Sequence, residues 1–87
     1  MTDIKKLMEE FETAEAKANV LDDLWGENPE DEKLEEEWMA AYKEEHRTCK
    51  ALIDGIREAT KWEIDERAAR AMIYGKRATL KALFAMI

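Results

Sequence analysis

The sequence has few residues that bend or break a chain: three glycines and one proline in 87 residues. A β-sandwich or barrel needs turn residues at roughly every tenth position, so neither is expected. Three scattered glycines cannot form a glycine-rich phosphate loop, which excludes Rossmann and P-loop nucleotide enzymes. The lone cysteine, Cys49, has no partner for an intrachain disulfide. No stretch approaches the run of about 18 apolar residues that a membrane-spanning helix requires. The start, Met1 to Lys6, has no apolar run behind its lysines, so no secretory signal is expected. Together these features predict a cytoplasmic protein.

Apolar residues make up 46% of the chain, a normal share for a globular fold and too high for a disordered tail. The length fits one domain, residues 1–87, with a modest core of its own. Charge is abundant and unbalanced: 14 Lys and Arg against 21 Asp and Glu, a formal net charge of −7.

Apolar residues recur at Ile4, Leu7, Phe11, Ala14, Ala18, Leu21 and Trp25, with Met8 beside them. This unbroken alternation of three and four predicts a helix over about 3–25. Thr2 or Asp3 would cap its start, and Gly26 would end it in a left-handed conformation. Asn28 and Pro29 fit the N-cap and first turn of a second helix, over about 29–59. So short a link makes the two helices an antiparallel hairpin. The apolar face of the second helix reads Leu34, Trp38, Ala41 and Tyr42, then Cys49, Leu52, Ile53, Ile56 and Ala59. A polar patch around His46 interrupts it. The tryptophans Trp25, Trp38 and Trp62 read as plugs near helix ends, each ring buried with its N–H reaching water or a carbonyl.

A third helix is expected over about 61–86. Thr60 with Glu63 fits a capping box, and Asp65 is an alternative cap. Its small residues, Ala68, Ala71, Gly75, Ala78, Ala82 and Ala85, form a strip that lets another backbone approach. Beside them lie Ala69, Met72, Ile73, Leu80, Leu83 and Ile87. An apolar arc this wide should be covered on two sides. The expectation is therefore an all-α, three-helix-bundle-like fold that forms a two-fold homodimer through Ala71, Gly75, Ala78, Leu80, Leu83 and Ile87. The simpler alternative is a helix buried centrally in a monomer.

Charge is segregated along the chain. Residues 1–59 carry −10 and residues 60–87 carry +3. Arg67, Arg70, Tyr74, Arg77 and Lys81 line one face of the third helix. Such a face can meet phosphates, complement the helix dipole, or pair with the acidic helices of its own chain.

The candidate chemistry is thin. His46 and Cys49 are three apart, and with no other His or Cys a zinc site would need a symmetry mate. The plainer reading is a partly exposed histidine and a half-buried thiol at a weak point in the core. A di-iron bundle needs Glu-x-x-His, and the residue three before His46 is Lys43. No cofactor or metal is expected. The sequence reads as a non-enzymatic helical protein–protein interaction module, partnering itself and another protein, with no membrane and with nucleic acid the least favoured partner. An acidic inhibitor or nucleic-acid mimic directed at a nucleic-acid-binding protein is the alternative. A small nucleic-acid binder using the basic helix is the third.

Overall fold

The computed structural model describes residues 3–85, the side chain of Leu83 excepted. It holds four helices: α1 (Ile4–Glu27), α2 (Glu32–Ala59), α3 (Glu66–Gly75) and α4 (Arg77–Ala85). No strand occurs among the described residues. α1 and α2 form a long hairpin, α3 packs on α2, and α4 packs on α1.

Asp3 caps α1 by accepting from the Lys6 amide at 3.1 Å. The helix then runs through Gly26, which has no left-handed φ. Asn28 ends it instead. Its backbone N–H donates to the carbonyls of Leu24 and Trp25, and its side-chain amide to Leu24 at 3.0 Å. Because Asn28 is used on α1, the expected N-cap of α2 moves to Asp31, whose carboxylate accepts from the Leu34 amide. Pro29 falls in the turn between them.

α2 ends in a Schellman motif. The Trp62 N–H bonds to the Arg57 carbonyl and the Lys61 N–H to the Glu58 carbonyl, with Lys61 left-handed at φ 55. Thr60 is therefore the C-cap of α2, not the N-cap of a third helix. Its hydroxyl donates back to the Ile56 carbonyl. Trp62 is also left-handed, at φ 66, and lies 59% exposed under the Arg57 guanidinium rather than plugging a core. Asp65 caps α3, its carboxylate 2.7 Å from the Ala68 amide. A left-handed residue with a Cβ costs about 1–2 kcal/mol, and glycine avoids that cost. Lys61→Gly should therefore raise stability by about 1 kcal/mol in urea unfolding. No gain would mean that Lys61 is not left-handed in solution.

The expected third helix is two helices. Lys76 leaves helical geometry at φ −136, and its carbonyl accepts from the Leu80 amide to start α4. Gly75, a poor helix former, precedes the break. The break turns the chain from α2 to α1. Arg77 fastens the corner: its Nε donates to the Ile73 carbonyl at 3.0 Å, and its two terminal nitrogens grip Glu15 at 2.6 and 2.8 Å.

The core sits at one end. It gathers Ile4, Met8 and Phe11 from α1, Cys49, Leu52, Ile53 and Ile56 from α2, Ala69 and Ile73 from α3, and Leu80 from α4. α3 and α4 have 10 and 9 residues, each about 15 Å or less in length, against about 42 Å for the 28 residues of α2. They therefore cover only part of the hairpin.

Candidate functional site

The ring and polar contacts that α3 and α4 make on the hairpin fall at Phe11, Glu12, Glu15 and Cys49. Beyond Glu15 on α1 and before Cys49 on α2 lies an outer arm, residues 16–48. Its fully buried members are small: Ala18, Ala41 and, at its inner edge, Thr48. Leu21, Trp25, Leu34 and Trp38 are half-buried between the two helices. Four of the six large apolar side chains exposed among the described residues belong to this arm: Val20, Leu24, Met39 and Tyr42.

An aromatic ladder stiffens the arm. Trp25 stacks on Trp38 at 5.1 Å, Trp38 on Tyr42 at 5.6 Å, and the Tyr42 ring meets the edge of His46 at 4.4 Å. The Trp25 indole N–H is buried and meets no acceptor of the chain. A groove runs between the helices with Ala14, Leu21, Ala40 and Ala41 along it. Lys17 and Glu37 also line it, as do Val20 and Glu44. Glu44 is held by Arg47, whose Nε lies 2.9 Å away, and this hydrogen bond keeps its carboxyl below the usual range.

Charge follows the same division. Residues 16–48 contain 11 acidic and 4 basic side chains, which gives −7. The remaining residues contain 10 of each and are neutral. The whole net charge of the protein thus lies on the outer arm.

The proposed contact strip divides. Ala71, Gly75 and Ala78 are exposed, and a Cβ added at Gly75 would meet nothing within 4 Å. Leu80 does not belong with them. It is fully buried in the core of its own chain, because the break at Lys76 folds α4 onto α1. The side chain of Leu83 and all of Ile87 lie outside the described residues.

The basic face divides as well. Arg77 binds Glu15, Lys81 lies 2.8 Å from Glu12, and Arg70 reaches Glu66 on its own helix. Arg67 is exposed. Tyr74 sets its ring edge-on to Phe11 and donates to the Cys49 sulfur at 3.7 Å. Burial, and then that hydrogen bond, push its phenol well above the usual range. Glu45 is also raised, first by burial and then by the charge of Glu15.

His46 and Cys49 do not form a pair. His46 is exposed beside Tyr42, whereas Cys49 is buried beneath Tyr74. Among the described residues, no three His, Cys, Asp or Glu side chains gather to hold a metal ion. No described helix is long and apolar enough to cross a membrane. Sequence reasoning missed the outer arm because it read the acidic runs without the apolar side chains that stay exposed beside them. The signal was the coincidence of those runs with exposed Val20, Leu24 and Met39. No family model, curated protein or solved structure matches the chain.

Proposed function

We propose that the chain is a non-enzymatic helical protein–protein interaction module whose binding element is the outer arm of the α1–α2 hairpin. The observation that carries this reading is the concentration of exposed Val20, Leu24, Met39 and Tyr42 on an arm whose buried residues are small. Exposed apolar side chains concentrated on one arm are a usual mark of a docking surface, and Val20 among them lines the groove between the helices. A partner helix laid along Ala40 and Ala41 would give the arm the third layer that α3 and α4 supply at the other end.

The test is a titration with an uncharged amphipathic peptide of about five helical turns, with Leu at the helical spacing and Gln elsewhere. Amide shifts report where it lands. The expected result is movement at Val20, Met39 and Ala40, with Ile73 and Leu80 unmoved. Absence of any shift at up to about 1 mM peptide, the weak end of measurable affinity, would count against the module.

Self-association through α3 and α4 is the second reading, favoured by the shared exposure of Ala71, Gly75 and Ala78. Light scattering over a concentration series distinguishes dimer from monomer. Nucleic-acid binding through the basic face has less support, because Arg77, Lys81 and Arg70 already have carboxylate partners.

A further inference from the structure

We infer that the outer arm receives a basic amphipathic helix of another protein, seated in the groove along Ala40 and Ala41. The inference rests on the interaction-module reading and adds the chemistry of the partner. Two independent observations converge on it. One is steric: the groove has small side chains along it, Ala14, Ala40 and Ala41, so another helix can approach closely, and Val20 and Leu21 supply apolar contact. The other is electrostatic: the entire net charge of −7 is carried by residues 16–48, and the rest of the chain is neutral.

The arm also sets the length of the occupant. The stretch of α2 from Glu32 to Thr48 has 17 residues, about 25 Å of helix. A partner helix of similar length would place its apolar stripe in the groove and its Lys or Arg residues beside Glu37 and other carboxylates of the arm. Lys17 is the one basic residue lining the groove. Glu37 and Glu44 line it opposite, Glu44 being held by Arg47.

A second copy of this chain is a poor occupant. Its own arm carries the same −7, so two arms laid together repel. On its α4, the basic side chains Arg77 and Lys81 are bound to Glu15 and Glu12. An anionic membrane surface or a nucleic acid is repelled for the same reason. Complementary charge chiefly speeds encounter and rejects wrong partners, while the apolar seat retains the right one.

The experiment compares three synthetic helices of identical length with the same leucines. Their polar positions are all Lys, all Gln or all Glu. Affinity is measured by calorimetry and position by amide shifts on the full chain. The Lys peptide should bind at least about tenfold tighter than the Gln peptide at low salt, and the advantage should fall as ionic strength rises from about 0.05 M to about 0.5 M. The Glu peptide should not bind.

Two variants locate the seat. Ala40→Leu changes an exposed position and fills the groove, and Glu37→Lys reverses a charge that lines it. Each should weaken the Lys peptide by about tenfold or more. The circular dichroism spectrum of each variant should be unchanged. Equal, salt-independent binding of Lys and Gln peptides would overturn the basic-partner inference and leave the module standing. Binding of none would overturn both. Tight Lys-peptide binding that ignores both variants would place the seat elsewhere and overturn the groove.

Discussion

Phe11→Ala should cost about 3–5 kcal/mol, the usual loss for truncating a buried aromatic. Phe11 is fully buried and belongs to the cluster where α1 meets α2, α3 and α4. Its ring takes the edge of Tyr74 at 5.7 Å and lies 5.2 Å from the Arg77 guanidinium. The substitution therefore opens a cavity and also removes the surface on which Tyr74 and Arg77 are seated. Domains of this length have about 4–13 kcal/mol in total, so the variant would be close to unfolding. Urea titration should show a large fall in midpoint with an unchanged slope. Phe11→Leu keeps most of the volume and should lose only about 1–1.5 kcal/mol. A loss below about 1 kcal/mol for the alanine variant would mean that this ring is not at the junction of the helices.

Leu80→Ala should cost about 2–5 kcal/mol, with the damage centred on α4. A nine-residue helix has no stability of its own, so α4 exists because it docks. Leu80 is its fully buried anchor. Phe84, half-buried, also packs against the core, and the polar ties to α1 run from Arg77 to Glu15 and from Lys81 to Glu12, both partly exposed. Exposed pairs contribute little, and the bidentate Arg77 contact contributes on the order of 1 kcal/mol. They cannot hold α4 alone. By contrast, Ala78→Ser, on the exposed side of the same helix, should stay within about 0.5 kcal/mol. If Leu80 served a subunit contact instead, Leu80→Ala would change the concentration dependence of unfolding and spare the monomer. Equal small effects at positions 78 and 80 would contradict the packing of α4 described above.

Much of this fold was legible from the sequence, and for a physical reason. Long seams such as Ile4, Leu7, Phe11, Ala14 and Ala18 repeat often enough that only one helical face accounts for them. The helix ends were harder, because several residues could serve each cap. Asn28 looked like the start of α2 and closes α1 instead. The Schellman turn gave no signal because Lys61 occupies the position where glycine is usual. Gly75 was read as a site of close helix packing, yet it stands at a corner where the chain changes partner from α2 to α1. That corner turns Leu80 inward and leaves Ala71 and Ala78 outside. The outer arm was the least legible feature. The carboxylates between Asp22 and Glu37 were plain in the sequence. Their meaning depended on which end of the hairpin two short helices would cover, and that is a question of contacts distant along the chain.

The most direct test of this asymmetric architecture is native-state hydrogen exchange resolved by residue. Amides at Leu52, Ile53, Ile56 and Ile73 lie in the covered core and should exchange only through global unfolding. Amides at Val20, Leu21, Met39 and Ala40 lie on an arm with small buried residues and should open at markedly lower free energy. That gradient is the expected result, and a bound basic helix should reduce it. Uniform protection along α1 and α2, or an arm slower than the core, would mean that the outer half of the hairpin is already covered, and would contradict the open arm on which the proposed function rests.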